Sequence, residues 1–557
     1  MANEVKIIPL GGIGEIGKNS TLIEIDKDLL LIDAGFKFPS ADMPGIDFII
    51  PDYSYLKKKK KYLKGIVLTH GHLDHIGALR YLLEDVKPPL IAGSPITIGL
   101  VKGMLPEKIK KGLNFIEIDN RERVKTGAFD IEFIRMTHSI PGSFGIAIHT
   151  PEGVIFHTGD YKIDNTPVDG KKTDVERLRK LSKEGIIALL SDSTNADESG
   201  FTGSESLIGK NIIPIFAKSK GRIIAATFST NIHRVQQFIN VAAKFNRKVI
   251  FNGRSLVESV KIAKRLGYLK VPENIEVELS DISTLPKKKI TLITTGTQGE
   301  PMSGLVRIAN GMHNGLSITK GDTVIVSADP IPGNERMVSD TINKLFKLGA
   351  DVYYRKEDGI HVSGHCSQED IRYLLKLTKP KYYIPVHGEY RHLVFGKKIA
   401  MSEGMSSKNI FILENGLGVR ISKGKMKKLP RVKSGSIIIE GNSQISMKGK
   451  DEIPIFSERR EMANKGILFA VIMLNKNGKV KKPVRVETRG IMLNPGSEGE
   501  IIKAVKAKVV ETVEKFAKIK EQKEVEAEIE KAVKKLFRKS SKKSPAIFPL
   551  IIKEKKK

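Results

Sequence analysis

The stretch Thr69-His70-Gly71-His72-Leu73-Asp74-His75 decides the reading of this chain. Four potential metal ligands fall within six residues, directly after an apolar run, Gly65-Ile66-Val67-Leu68, that reads as a buried strand. At strand spacing His70 and His72 point the same way, and the turn that follows can bring Asp74 and His75 round to a second position beside them. One ion cannot easily use all four. Two ions about 3.5 to 4 Å apart can share the cluster, which is the arrangement suited to displacement at phosphorus. A solitary histidine after a strand is usually a satisfied core residue, but a four-ligand run is not.

An open metal site is assembled at one edge of a sheet, so further ligands belong at the ends of other strands. Asp33 follows Leu30-Leu31-Ile32, His138 sits in Met136-Thr137-His138-Ser139, Asp160 ends Phe156-His157-Thr158-Gly159-Asp160, and His387 follows the strand Tyr382 to Val386. Of twelve histidines, His70, His72, His75, His138 and His387 are thereby read as ligands. His149 and His157 read as structural, pointing into or across a sheet, and His313 and His392 carry no usable signal.

Farther out, the first 200 residues read as short buried strands between Gly, Asp and His turns, among them Val5 to Leu10, Thr21 to Ile25, Gly153 to His157 and Ile186 to Leu190. From 205 to 355 helical stretches alternate with strands such as Arg222 to Thr227, Lys248 to Phe251, Ile290 to Thr294 and Thr323 to Ser327, which predicts an α/β unit with a mainly parallel sheet. The strand before His387 returns to the first pattern. The chain therefore reads as one domain (1–205 and 356–420) interrupted by another (206–355), then a basic, Gly- and Pro-broken linker (421–450) and a small α+β domain (451–557). In that last domain strands are predicted near Gly466 to Met473 and Val484 to Thr488, with a long helical stretch from Gly499 to about Lys539. Its final 27 residues, Lys531 to Lys557, hold eleven basic residues and one acidic, and read as a solvated extension, with contact to RNA or another subunit as the alternative. No internal repeat is present.

Bulk properties narrow the function. At 557 residues the chain has room for about three or four domains. The single cysteine, Cys366, excludes a disulfide framework and any zinc site built from several thiolates, so a metal here must use histidine and carboxylate ligands. No run approaches the roughly 18 to 20 apolar residues of a membrane span, and the start lacks a basic segment followed by an apolar one. A cytoplasmic setting with no membrane partner is expected. Lys+Arg 94 against Asp+Glu 63 gives +31, a charge that attracts polyanions, nucleic acid first among them.

At this point the residues resemble a known family. His-x-His-x-Asp-His at 70–75, with Asp33, His138 and Asp160, is similar to the metallo-β-lactamase superfamily, and the insertion resembles that of the β-CASP nucleases, the ribonuclease J family in particular, over essentially the whole chain. Ser191-Asp192-Ser193-Thr194-Asn195, His361-Val362-Ser363-Gly364-His365 and Pro385-Val386-His387-Gly388-Glu389 look like its three β-CASP motifs, and Thr227 to Arg234 looks like a further stretch typical of these nucleases. The resemblance implies an αββα sandwich with an inserted β-CASP α/β domain and a C-terminal α+β domain. It implies two zinc ions per chain, one held by His70, His72 and His138 and the other by Asp74, His75 and His387, with Asp160 bridging and Asp33 orienting a ligand histidine. His365 would act in catalysis near the leaving oxygen with Asp192 behind it, Asp74 would serve both metal and chemistry, and His361, Val362, Ser363, Gly364 and His365 would receive a substrate phosphate. The implied activity is hydrolysis of single-stranded RNA from a 5′-monophosphate end, with internal cleavage besides, in RNA decay and maturation. A homodimer or homotetramer, and membership of an RNA-degradation complex, are implied as well. A histidine at the position of His387 goes with RNA-acting members more than DNA-acting ones. Cys366 departs from the pattern, standing where Gly or Ala is common.

Other readings fare worse. Gly12-Ile13-Gly14-Glu15-Ile16-Gly17 matches a dinucleotide fingerprint, but Ser20 to Ile25 after it reads as a strand and not the helix such a site needs. Extended to Lys18-Asn19 it nearly makes a P-loop, with Asn19 where Ser or Thr must reach magnesium. A hydrolase of a small thioester or lactam is opposed by the insertion, His365 and the +31 charge. A non-catalytic RNA-binding scaffold is opposed by the complete ligand set.

Overall fold

The computed structural model describes residues 4–40, 43–300, 302–331, 333–441, 443–447, 454–475, 479–492, 498–516, 521–541 and 544–554. These form two units, one comprising residues up to 446 except 42–45, the other 42–45 and 447–557.

In the larger unit, an eight-stranded sheet runs in the order Lys425–Lys428, Val419–Ser422, Val5–Gly11, Ser20–Ile25, Asp28–Ile32, Leu63–Val67, Ile91–Gly93, Phe115–Glu117. A six-stranded sheet runs Tyr382–Val386, Ile186–Asp192, Gly153–His157, Phe144–Thr150, Phe129–Arg135, Arg123–Thr126. Both faces of each sheet are covered, so its strands are apolar almost throughout. Alternation then sorts them. Val5, Ile7, Ile23, Leu30 and Val67 meet Phe133, Ile146, Ile155, Leu190 and Ile384 between the sheets. Ile8, Leu10, Leu22, Leu29 and Leu31 turn the other way, as do Phe156, Leu189 and Tyr383 on the second sheet. The outer face of the second sheet is covered by helices Val175–Glu184 and Gln368–Thr378. The expected αββα sandwich is present.

The inserted segment forms a five-stranded, all-parallel sheet, Lys248–Asn252, Ile290–Thr294, Ile223–Ala226, Thr323–Val326, Asp351–Tyr353, as the alternating pattern predicts. The chain then returns to the sandwich, and Tyr382–Val386 pairs in parallel with Ile186–Asp192, bringing His387 beside Asp192. Ser20–Ile25 is a strand, as the rejection of a dinucleotide site required.

Two expectations are corrected. Residues 421–450 are not a linker up to 447. Val419–Ser422 and Lys425–Lys428 form a hairpin at the edge of the first sheet, and Ser436–Glu440 pairs with Phe48–Pro51. The reason is that an edge strand carries lysines as protection: Lys425, Lys427 and Lys428 are exposed while Met426 is buried, and the mixture reads as a polar break.

The basic tail is likewise folded as far as it is described. Val525, Ile529, Val533 and Phe537 recur every fourth residue on helix Gln522–Ser541 and are buried, leaving Lys531, Lys535, Arg538 and Lys539 outside. Ala546–Lys553 then joins Ile467–Leu474 in parallel, completing a three-stranded sheet with Val480–Arg489. The long helical stretch consists of two helices, Glu498–Phe516 and Gln522–Ser541. Among the described residues no helix is long and apolar enough to cross a membrane.

Candidate active site

The strand Leu63–Val67 ends two residues before Thr69, whose N–H and hydroxyl both donate to Asp33, each at 2.8 Å. The chain continues extended through His72 and then turns into the single helical turn Leu73–Ile76. That turn swings Asp74 and His75 round beside His70 and His72. It lies so tightly on Gly35 that a Cβ there would fall 1.5 Å from the Asp74 carbonyl oxygen.

His70 Nε2 lies 3.1 Å and His138 Nε2 3.0 Å from His72 Nδ1. The His138 Nδ1 contact at 2.7 Å is with the Gly364 carbonyl; a carbonyl only accepts, so Nδ1 carries the proton and Nε2 presents a lone pair. His75 is set in the same way, Nδ1–H donating to Asp33 at 2.7 Å and Nε2 lying 3.1 Å from Asp160. A ring held through one nitrogen so that the other is free is the usual preparation of a metal-ligating histidine. Asp160 also meets His387 Nδ1, at 2.9 Å. His387 sits at φ 51° just past its strand, its N–H bonded to the Gly12 carbonyl.

Two sets of donors result, His70, His72, His138 and Asp160 in one, Asp74, His75, Asp160 and His387 in the other, each with its ligand atoms within 4.8 Å of one another. Asp160 is common to both. His387 Nε2 is buried with no hydrogen-bond partner, 3.2 Å from Asp74. An orphaned imidazole nitrogen beside a carboxylate, and ring nitrogens converging on one another, fit cations between them. Electrostatics agree. Burial holds His70 and His138 well below the usual histidine range and His72 at about 4, so all three are neutral donors. Burial opposes charge on His75 and His387 too, but Asp160 and Asp74 outweigh it, lifting His75 well above its ordinary value and His387 to about 10. The carboxylates that favour a proton there favour a metal cation equally.

His365 stands at the open side, about a quarter exposed, its Nδ1 2.9 Å from Asp192. Asp192 is wholly buried and also accepts from the Thr194 N–H and hydroxyl. A third donor set, Asp160, Asp192, His365 and His387, is equally compact. Of the phosphate segment, Ser363 and His365 face this cluster's neighbourhood, Ser363 Oγ accepting from Asn195 and from the His365 N–H. His361 and Val362 are engaged elsewhere, by Arg234, and His361 also by Asp329.

His149 and His157 are structural, bonded to Glu132 and to the Gly159 N–H. Cys366 is buried against the Asp192 carbonyl, the packing role a small residue would have. Sequence reasoning missed Asn19, whose amide lies 3.0 Å from His75 Nε2 and 3.3 Å from Asp74. Its one signal is the glycine turn before it, which fails as a dinucleotide fingerprint and as a P-loop and which the resemblance places at the rim of the active site with no role for Asn19. Lys162, two residues past Asp160, was missed as well.

Comparison with known proteins agrees with this geometry. Residues 13–184 match the metallo-beta-lactamase superfamily, 220–345 the ribonuclease J beta-CASP domain, 349–413 the Zn-dependent metallo-hydrolase RNA specificity domain and 455–554 the ribonuclease J C-terminal domain. Ribonuclease J of Synechocystis sp. is 40% identical over 514 residues, 92% of this chain and 79% of the relative. Ribonuclease J of Thermus thermophilus is 37% identical over 559 residues, 99% and 95% of the two chains, and that of Helicobacter pylori strain 26695 is 44% identical over 475 residues, 85% and 68%. A solved protein of unknown function from Enterococcus faecalis shares the fold, with TM-score 0.52 at 14% identity over 75% of this chain and 100% of that one.

Proposed function

The chain belongs to the ribonuclease J family, and on that premise we propose that it hydrolyses RNA phosphodiesters, removing nucleotides from a 5′-monophosphate end toward the 3′ end and also cutting internally, in RNA decay and maturation in the cytoplasm. The observation that carries this reading is the pair of donor sets sharing Asp160, with His365 and the Ser363–Gly364 turn alongside. Two zinc ions, when bound by His70, His72, His138 and by Asp74, His75, His387 with Asp160 between, supply Lewis-acid polarisation of the phosphoryl oxygens and a nucleophile at neutral pH.

The side chains do the rest. Asp33 fixes the His75 ring and Asn19 restrains the Asp74 carboxylate, so the second set is held before substrate arrives. His365 Nδ1–H donates to Asp192, leaving Nε2 toward the substrate. Burial works against its charge, but Asp192 and Asp160 raise its basicity above that of an ordinary histidine. It can therefore take up a proton more readily than an ordinary histidine and deliver it to the leaving 3′ oxygen, or neutralise charge developing there. The active form is a homodimer or homotetramer, a reading supported by the apolar outer face of the C-terminal sheet, where Phe469, Met473, Phe548, Leu550 and Ile552 are exposed.

The test is a time course on one RNA labelled at its 3′ end and carrying a 5′ monophosphate, triphosphate or hydroxyl, with and without a chelator. Faster, chelator-sensitive conversion of the monophosphate RNA to mononucleotides is expected. Fixed internal products whatever the 5′ group would make the enzyme chiefly an endonuclease, and no cleavage would return the site to small-molecule hydrolysis.

A further inference from the structure

Three successive carbonyls of the turn before the reactive histidine are held by side-chain cations or donors. The Val362 carbonyl accepts from Arg234 Nη2 at 3.0 Å, the Ser363 carbonyl from Lys162 Nζ at 3.1 Å and the Gly364 carbonyl from His138 Nδ1 at 2.7 Å. In a trans peptide the carbonyl and the next N–H point to opposite sides. The Ser363 N–H is therefore turned away from Arg234, and the Gly364 N–H away from Lys162. Neither has an acceptor among the described residues, whereas the next N–H, of His365, closes on Ser363 Oγ at 3.1 Å. Successive free N–H groups in a turn make an anion-binding concavity. A side chain at Gly364 would destroy it, since a Cβ would fall 2.6 Å from the His138 ring.

Both cations are fully buried, so neither can touch RNA itself. Arg234 is paired with Glu205 at 2.6 and 2.8 Å, and its remaining donors reach Ser327 and His361. Lys162 is different. Its acceptors are two carbonyl oxygens, those of Gly203 and Ser363, and no carboxylate lies within 4 Å of its ammonium among the described residues. A buried ammonium hydrogen-bonded only to peptide carbonyls, with Glu205, Asp164 and Asp370 acting on it from beyond 4 Å, is a costly arrangement, and the peptide dipoles carry part of its charge outward to their N–H ends.

We propose that Arg234 and Lys162 are positioning residues for the terminal phosphate of the RNA: from behind the turn they aim the Ser363 and Gly364 N–H groups at it and bias that place toward an anion. The inference rests on the 5′-end preference proposed above. A role confined to fastening the fold would lower stability and impair every RNA alike, whereas aiming donors at a terminal phosphate affects the RNA that carries one.

The full-length, metal-loaded protein is assayed on one RNA with a 5′ monophosphate and with a 5′ hydroxyl, and the ratio of the two kcat/KM values is the readout, with thermal unfolding of each variant in parallel. Lys162→Met and the double variant Arg234→Met/Glu205→Met, which leaves no orphaned carboxylate, are each expected to lower the ratio about tenfold, the loss of one charge-assisted contact. The 5′-hydroxyl RNA should be cut within about threefold of the wild-type rate by Lys162→Met, since the lost contact serves only the terminal phosphate. Arg234→Lys, which keeps a charge at this place, should recover part of the ratio. A folded Lys162→Met protein with an unchanged ratio, or equal loss on both RNAs, overturns the inference. Equal wild-type rates on the two RNAs overturn the end preference itself, and this inference with it, before any variant is compared.

Discussion

Asp74 and His365 sit in one cluster and are separable by experiment. Asp74 is bracketed by His387 at 3.2 Å and Asn19 at 3.3 Å, in a donor set that closes round a cation site. Asp74→Ala should lower hydrolysis by at least ~10³-fold, as removal of one member of a catalytic unit does, with metal content below two ions per chain by elemental analysis and RNA binding still measurable. Full activity in that variant would sink the metal assignment. His365 is held by Asp192 on the open side. His365→Ala should keep close to two ions yet lose about 10²- to 10³-fold in kcat, the effect of one transition-state donor. Loss of metal from it would mean that His365 is a ligand. The two donor sets were legible in sequence because His70, His72, Asp74 and His75 are packed into six positions and His138, Asp160 and His387 follow strands. Lys162 left no such mark, since a buried cation bonded to carbonyls looks, in sequence, like any surface lysine, and Arg234 is marked only as the end of the Thr227 to Arg234 stretch that the resemblance picks out, with no role attached. Asn19 was hidden for another reason, since its partners are 55 and 56 residues away.

At the level of elements, apolar strands bounded by turns were legible and edges were not. The hairpin Val419–Lys428 and the strand Ala546–Lys553 lie at sheet margins, where lysine and proline are tolerated and hydrophobic alternation is diluted. Elements are also pinned by ion pairs, and one such pair gives a pH test away from the metal site. Glu132, on strand Phe129–Arg135, accepts from Arg177 of helix Val175–Glu184 at 2.8 Å and lies 3.0 Å from His149 Nε2. Burial disfavours its charge, but Arg177 and His149 outweigh that and hold it at about 2. A carboxyl lowered in the folded state stabilises above its unfolded value and loses that contribution as pH falls toward its folded one. Glu132→Gln should therefore cost about 2 kcal/mol at pH 7, solvent screening included. By pH 3 about half or more of that deficit should be gone. A deficit independent of pH in urea titrations would assign the loss to packing instead. The C-terminal sheet gives a second test. In the parallel register Phe469 opposes Phe548, Val471 opposes Leu550 and Met473 opposes Ile552, an outward apolar stripe with the two phenylalanine rings stacked at 5.5 Å. Phe469→Glu with Leu550→Glu should reduce the proposed dimer or tetramer to monomers in sedimentation velocity while the fold persists, and unchanged sedimentation would overturn this face as the interface.

Across the whole molecule the dominant physical quantity is the +31 net charge. Folding turns part of it from a flexible brush into a fixed array. Lys531, Lys535, Arg538 and Lys539 ride one side of a helix whose other side carries Val533 and Phe537 into the core, so their spacing is set by the helix. A fixed array of like charges is held together against its own repulsion by packing, and a polyanion relieves that repulsion when it binds. Neutralising phosphates releases their condensed counterions, so affinity for single-stranded RNA falls with salt in proportion to the number of phosphates engaged, at about 0.7 log unit per phosphate per decade. If the charge serves RNA, log Kd plotted against log salt should rise with a slope of about 3, the value for roughly four phosphates. The same slope is expected for RNAs of different sequence, because backbone contacts do not read bases, and a 5′ monophosphate held at its own pocket should raise the slope by about 0.7, the value of one further phosphate. A slope well below about 1 would mean that the surface charge is not engaged. The RNA would then be held by stacking and by the site alone, and the lysine content would have to be explained by something other than substrate.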